Sequence, residues 1–564
     1  MSTILTLHDP QVARRYHAEG HWRSDTLYTL LRHHASVRPQ AYALRDSRRR
    51  LSWTALAQWV DAVAADLHAA GLNRGQRVSV WLPNRVEAMV VMLACSRNGY
   101  VCSPSLHQNY TARDVFELMD RVQSAALFAQ PGYGADAGAS DVFAAARALP
   151  ATKRVYCLDT GGGENHIAEG CFAFPAAESS MDAASAPIDD NPDKIVYLAF
   201  TSGTTGTPKG VLHSDNTLLA NGRAMVHDWH HTDRTVLFSH SPLSHHIGTV
   251  AIEQSLVAGF ELVVNDLAPG MKPLDWILEA GATYVMGVPT HAMDILADMK
   301  RRGMAELGCV EVFYMAGSTI APETARAFLE MGVKPQNVYG MTENGSHQYT
   351  LPDDDAATIT STCGQACAGY ETRLWDPESP DREVQPGEIG EIGTRGALLT
   401  LGYFDNQAAT ENSFNALGWF MSGDLGRCDA QGNLQIVGRK KDLIIRGGHN
   451  IHPSHIENLV LRHSGILKAA AYAVADVRLG ERVCLAVIAR EGAVMDAMEM
   501  LEHLHGAGLS KYDMPEYFIA LDAFPLTASG KILKRELVEW TRSGRIKPEP
   551  VRWGGADEGR VIEG

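Results

Sequence analysis

No stretch of this sequence is apolar for long enough to span a membrane, the longest such run, near Val90 to Ala94, having the length of a core segment. The first ten residues carry neither the basic start nor the long apolar stretch of a secretory signal, and the last four, Val-Ile-Glu-Gly, are no peroxisomal address. Basic residues are outnumbered, and a net charge of −16 excludes a general nucleic-acid binder. Nine scattered cysteines give no disulfide framework, and Cys363 and Cys367 lack the second pair that a zinc site needs. Reduced thiols and a cytoplasmic location are the expectation. Internal repeats and low-complexity stretches are absent as well. What remains is an ordinary globular composition, 45% hydrophobic and 21% charged, over 564 residues, too many for one compact core.

The alternation of segments sets the fold class. Trp53 to Ala70 has helical spacing and Arg77 to Leu82 reads as a strand; Val86 to Asn98 is helical again, stopped by Gly99 before a short strand at Tyr100 to Ser103. Such alternation predicts α/β architecture, with parallel sheets covered by helices. Residues 131–192, rich in Ala, Gly and Asp, read as surface excursions. The charged cluster Gly438-Arg439-Lys440-Lys441-Asp442 follows a strand at Leu434 to Val437 and suggests a boundary. The expected domains are a large one over 1–437 and a small α+β one over 438–564, the latter with a helix from Pro453 toward His463.

The densest chemistry lies at Thr201-Ser202-Gly203-Thr204-Thr205-Gly206-Thr207-Pro208-Lys209-Gly210, after an apolar strand from Ile195 to Phe200. Glycines allow close backbone approach, hydroxyls and free N–H groups suit phosphate oxygens, and Lys209 adds a point charge. With helix-compatible sequence resuming after Val211, the loop reads as joining strand to helix. The common P-loop pattern cannot be laid over Gly203, Gly206 and Lys209.

Other segments carry weaker signals of their own. Tyr339-Gly340-Met341-Thr342-Glu343 ends a strand in a polar turn, where a carboxylate and a hydroxyl suit Mg²⁺. Gly423-Asp424 places a carboxylate in a glycine turn, able to accept ribose hydroxyls, and Arg439 offers a donor fork for ribose or phosphate oxygens. Taken singly, these read equally well as a solvated turn, a Gly-Asp turn and a surface arginine.

Their order changes that. The loop at 201–210, Tyr339-Gly340-Met341-Thr342-Glu343, Trp419 through Asp424, and Pro525-Leu526-Thr527-Ala528-Ser529-Gly530-Lys531 together resemble the adenylate-forming superfamily, which includes acyl- and aryl-CoA synthetases. The resemblance implies a large N-terminal domain of helix-covered sheets and a small mobile C-terminal domain, hinged at Lys441. It implies ATP, Mg²⁺ and coenzyme A as cofactors, with Glu343 as the metal ligand, Tyr339 against adenine and Asp424 on ribose. Lys531 is then the catalytic cation, whose ammonium offsets the repulsion between a carboxylate and the α-phosphate it attacks. Tyr314-Met315-Ala316-Gly317-Ser318-Thr319 takes the place of the family's adenine-binding strand, so Gly317 and Ser318 join the nucleotide site. Ser241-Pro242-Leu243-Ser244-His245-His246 resembles the segment near the acyl pocket and thiol channel, from which His245 is carried over; Ser244 replaces the usual aromatic residue. The neighbouring histidines, including His227, His230 and His231, lack the partners of a convincing metal site. Asn450 and His455 stand where many members have Arg and Glu, and Lys441 where many have Asp.

The expected reaction joins a small carboxylic acid to CoA through an acyl-adenylate. His240, His246, Met286, Met315, Met341 and His347 are the candidate pocket residues, compatible with an alicyclic, aromatic or medium-chain acid, and the chain looks most similar to bacterial cyclohexanecarboxylate and medium-chain acyl-CoA ligases. Partners are small molecules rather than nucleic acid, with a homodimer compatible with this reading. Two alternatives stay open: an enzyme loading a separate carrier protein, since the sequence ends a short way past Lys531 with no fused carrier, and a non-catalytic nucleotide-binding protein.

Overall fold

The computed structural model describes residues 6–137, 141–160, 167–177, 187–201, 208–317, 320–490, 492–526 and 532–554. Ser202 to Gly206, Ser318 and Lys531 lie outside them. The chain divides into two compact units, one of residues 1–372 with 394–420, the other of 373–393 with 421–564. The strands Tyr370–Trp375 and Gly390–Gly396 carry the chain between them.

The first unit is α/β, built on two sheets. One runs, from edge to edge, Gln365–Ala366, Gly345–Tyr349, Lys334–Met341, Val312–Ala316, Tyr284–Gly287, Val236–Ser239, Glu261–Val264, Tyr42–Arg45 and Arg50–Ser52. Its centre is parallel and its edges antiparallel. The other runs Phe172–Ala173, Arg154–Cys157, Ser124–Ala129, Arg77–Trp81, Val101–Ser103, Ile195–Thr201 and Lys209–Ser214, parallel except for its last pair. Between the sheets a shared core takes in the helices Leu27–Val37, Trp53–Ala69, Val86–Asn98, Asp215–Asp228 and His246–Ala258. Val86–Asn98 is buried at every position, as a helix between two sheets must be, and Gly99, at φ 70°, turns the chain out of it.

Two segments depart from the sequence reading. Beyond Lys209 the chain forms a strand, Lys209–Ser214, paired antiparallel to Ile195–Thr201 with Thr201 opposite Lys209, and the helix opens only at Asp215, capped by Ser214. Val211 and Leu212 are fully buried, and the apolar run that seemed to begin a helix serves the sheet. The phosphate-type loop therefore joins two strands and has no helix N-terminus behind it. Residues 131–192 are not all surface excursion, since Val142–Ala148 is a helix and Arg154–Cys157 a strand with Val155 and Tyr156 buried.

The second unit is a small α+β body. Its sheet Gly480–Ala489 is flanked by Ile466–Asp476 and Tyr517–Ala520, with the hairpin Ile444–Arg446 and His449–Ile451 at one edge. The helices Pro453–Val460, Ala497–Gly506 and Lys534–Arg542 cover it, the first ending short of His463. A further sheet of Tyr370–Trp375, Gly390–Gly396, Phe420–Cys428 and Leu434–Arg439 brings Asp424 opposite Arg439.

Candidate active site

In the first unit, the site grows from two hairpins and a crossing strap. The hairpin of Ile195–Thr201 and Lys209–Ser214 fixes both ends of the 202–207 loop. Arg121 donates to the Pro208 carbonyl at the loop's far end. Residues 400–404 cross this hairpin: Phe404 N–H donates to Gly210 O (2.7 Å) and Leu401 N–H to Leu212 O (3.0 Å).

The second hairpin, Lys334–Met341 with Gly345–Tyr349, carries Thr342-Glu343-Asn344 at its tip. The turn is narrow enough that a Cβ on Gly340 would fall 1.8 Å from the Gly345 carbonyl oxygen, so only glycine fits. Asn344 Oδ1 accepts from Met341 N–H (3.0 Å) and locks the turn.

The strap ties these hairpins together. Tyr403 Oη–H donates to Glu343 Oε1 (2.9 Å), and Thr400 N–H donates to the Glu343 carbonyl (2.6 Å). The Lys209 ammonium lies 4.6 Å from the centre of the same Tyr403 ring. Lys209, on the phosphate-type hairpin, and Glu343, on the metal-type turn, are thus joined through one tyrosine. His213 makes a second tie, its Nε2–H donating to Thr342 O (2.7 Å) while Nδ1 faces Thr217 Oγ1 (3.0 Å). Burial pushes the His213 pKa down to about 4, against the opposing pull of the Thr342 carbonyl, which keeps the imidazole neutral. Tyr403, Thr400 and His213 escaped the sequence reading: nothing in their spacing separates them from ordinary core residues.

The predicted acyl-side residues divide. His245 caps the helix His246–Ala258, its Nδ1 3.3 Å from Ile247 N. His246 stacks on His213 at 5.5 Å and places Nδ1 3.3 Å from Tyr197 Oη. His240 stacks on His291 at 4.7 Å. Burial first, and neighbouring imidazoles second, hold His240 and His246 well below the usual histidine pKa. Met286 packs in the core between the sheets, whereas Met315 packs with Phe313, Val285 and Ile277 under the outer helices. Neighbouring strands place Met286 level with Tyr314, so Met315 faces the side of the sheet opposite to Met286. His347 is fully buried between Tyr339 and Tyr370, which lowers its pKa to about 3. Gly317, at φ 91°, ends the strand Val312–Ala316.

In the second unit, Arg439 Nε lies 3.3 Å from Asp424 Oδ1. Gly423 N–H donates to Glu391 Oε1 (3.2 Å), and Glu391 also binds Lys440 (3.0 Å), which fixes the turn ahead of Asp424. Lys534 donates to the half-buried Glu457 (2.7 Å), anchoring the helix that follows the Lys531 segment in sequence.

A helix-covered double-sheet unit, a phosphate-type hairpin tied to a carboxylate turn and a small α+β unit define an adenylate-forming enzyme fold. The profile of the AMP-binding enzyme family matches residues 31–404 and that of the AMP-binding enzyme C-terminal domain matches 455–531, and the chain belongs to this family. It is 28% identical over 539 residues to the medium-chain fatty-acid–CoA ligase of Escherichia coli (strain K12), covering 95% of this chain and 93% of the relative. It is 31% identical to the 2-hydroxy-7-methoxy-5-methyl-1-naphthoate–CoA ligase of Streptomyces carzinostaticus, over 93% of this chain and 95% of the relative. The crystal structure of ATP-bound MatB from Rhodopseudomonas palustris superposes with a TM-score of 0.80 at 28% identity, covering 92% of this chain and 99% of that one. No helix among the described residues is long and apolar enough to cross a membrane.

Proposed function

We propose that this enzyme is an ATP-dependent carboxylic acid–CoA ligase, converting a carboxylate, ATP and CoA to acyl-CoA, AMP and pyrophosphate through an acyl-adenylate. The observation that carries the reading is the Lys209–Tyr403–Glu343 link, which holds a phosphate-binding cation and a metal-binding carboxylate on one rigid frame. Glu343 and Thr342 offer the hard oxygen donors Mg²⁺ prefers, and the ion, when bound, would offset phosphate charge. The residues around it do the positioning. Lys209 and the loop from Thr201 hold the departing pyrophosphate; Tyr339, Gly340, Met341 and Gly317 with Ser318 hold the adenine. Asp424 accepts from the ribose hydroxyls, and Arg439 steadies that carboxylate. Lys531 stabilises the charge that grows as the acid attacks the α-phosphorus.

In the same proposal the small domain from residue 438 turns about Lys441 between adenylate and thioester formation. His245 stands at the acyl pocket, and the acid is of alicyclic, aromatic or medium-chain type, the last two being the types named for the two relatives. The enzyme works in the cytoplasm as a homodimer on small molecules. The test is a carboxylate panel with MgATP, followed by pyrophosphate release and product mass, run with CoA and again with a phosphopantetheinylated carrier protein. Acyl-CoA formation supports the ligase. Turnover with the carrier alone assigns the thiol to a carrier protein, and failure with both overturns the reading.

A further inference from the structure

The helix His246–Ala258 carries polar residues where a helix between two sheets should carry apolar ones. His246, Thr249 and Glu253 recur at helical spacing along one stripe, and all three are buried. Tyr197 Oη lies 3.3 Å from both His246 Nδ1 and Thr249 Oγ1, which accounts for the first two. Nothing accounts for the third. Glu253 is 0% exposed, and neither of its carboxyl oxygens has a hydrogen-bond partner among the described residues. The adjacent helix approaches its backbone side closely, since a Cβ on Gly222 would lie 2.9 Å from Glu253 Cβ.

The neighbouring polar atoms repeat the pattern. Gln254 Nε2 reaches Met286 Sδ (3.4 Å), while Gln254 Oε1 and Gln336 Nε2 are buried without partners among the described residues. Met286, Tyr314 and Gln336 stand level on three adjacent strands facing this helix, and Tyr284 Oη–H donates to Gln336 Oε1 (2.9 Å). An unpaired buried polar group is costly, so several in one layer call for an occupant that pairs them. Burial pushes the Glu253 carboxyl pKa well above the usual range, which favours the neutral acid. A neutral carboxyl can donate one hydrogen bond and accept others.

We propose that Glu253 is a specificity-determining residue of the acyl pocket, and that the preferred acid carries a hydroxyl or keto oxygen remote from its carboxylate. The proposal rests on the ligase reading and narrows its acid. Glu253 lies seven positions beyond His246, about 10 Å along the helix, so with the acid's carboxylate at the His245–His246 end of the proposed pocket the recognised oxygen is at the far end of a medium-length acyl group. An unsubstituted acid of the same length leaves the Glu253 hydroxyl and its neighbours unpaired; an oxygenated one completes them. Such a site rejects an analogue lacking the polar group more strongly than an apolar pocket rejects an extra one.

The test compares three medium-chain acids of equal length, one unsubstituted, one with a terminal hydroxyl and one with a terminal keto group. Each is assayed by pyrophosphate release with the wild type, Glu253→Gln and Glu253→Leu. The ratio of kcat/KM between oxygenated and plain acid does not depend on how much enzyme is folded. The wild type is expected to favour an oxygenated acid by about tenfold or more, Glu253→Gln to keep a preference, and Glu253→Leu to lose it. Which oxygenated acid is preferred identifies the oxygen recognised. Equal use of all three acids by the wild type, or a preference unchanged in Glu253→Leu, overturns the proposal and leaves Glu253 a structural residue. If none of the three acids is activated although other carboxylates are, Glu253 does not select a medium-length oxygenated acyl group and the ligase reading stands. If no carboxylate at all is activated, the ligase reading falls, and the proposal with it.

Discussion

The Tyr403 hydroxyl donates a 2.9 Å hydrogen bond to Glu343 Oε1, across the 60 residues that separate them in sequence. Buried, and beside that carboxylate, Tyr403 has its phenol pKa pushed far up, so it stays a donor at any working pH. Tyr403→Phe removes the donor and keeps the ring. A hydrogen bond to a charged group contributes about 1.5–3 kcal/mol, so adenylate formation should slow by about one to two orders of magnitude. Pyrophosphate release titrated with Mg²⁺ checks this, the variant being expected to need more of the ion. An unchanged Mg²⁺ titration would show that the Tyr403 bond does not orient Glu343 for the metal.

Gly340→Ala tests the hairpin that presents Glu343. The added methyl would meet the Gly345 carbonyl at 1.8 Å, and the facing main chain of Gly345 and Ser346 leaves it no room. We expect a loss of about 3 kcal/mol or more, seen as a lower thermal midpoint and lost adenylation together. A folded, active Gly340→Ala enzyme would mean that the turn opens readily.

Lys531→Ala should abolish adenylate formation from acid and ATP, while thioester formation from supplied acyl-adenylate and CoA largely persists. Single-turnover assays of the two half-reactions separate these outcomes. Equal loss in both assays would assign the lysine a structural role or a different step.

Buried imidazoles set the acid side of stability. Burial lowers His107, His213, His231 and His291 to about 4. In the unfolded chain each titrates near 6.5, so between pH 6.5 and 4 the unfolded state binds more protons and stability falls as pH drops. Above about 7.5 the effect vanishes. The limiting contribution is about 1.4 kcal/mol per histidine per pH unit. Denaturant midpoints measured at pH 7.5, 6.5 and 5.5 should decline mainly over the last interval. His231 offers the cleanest subtraction, since it stacks on Tyr284 at 4.3 Å and its Nε2 has no partner. His231→Phe should flatten the decline at little cost at neutral pH; an unchanged slope would clear this histidine of any part in it.

The parts of this molecule legible in its sequence were those where chemistry and spacing coincide. Gly340, Thr342 and Glu343 announce a polar turn because a glycine, a hydroxyl and a carboxylate follow a β-rich run. The alternation from Trp53 to Ser103 announces the helix-covered sheet for the same reason. The strand at Lys209–Ser214 was misread because Val211 and Leu212 fit either a buried strand or the start of a buried helix, and periodicity over so few residues cannot decide. Which face Met315 takes is not legible from its own segment, because it depends on register against Met286, a property of neighbouring strands. Tyr403 was missed because its meaning lies wholly in what crosses it. The orphaned Glu253 belongs here too: in sequence it is one acidic residue in an apolar stretch.

The Lys209 ammonium over the face of the Tyr403 ring has a thermodynamic consequence. One side chain touches the Lys209 ammonium through its π face and the Glu343 carboxylate through its hydroxyl, so a ligand that draws Lys209 away alters the seat of Glu343. Linkage makes this reciprocal: by whatever factor bound nucleotide changes the affinity for the ion, the ion changes the affinity for nucleotide. ATP and Mg²⁺ are then better described as one coupled ligand than as two occupants of neighbouring sites.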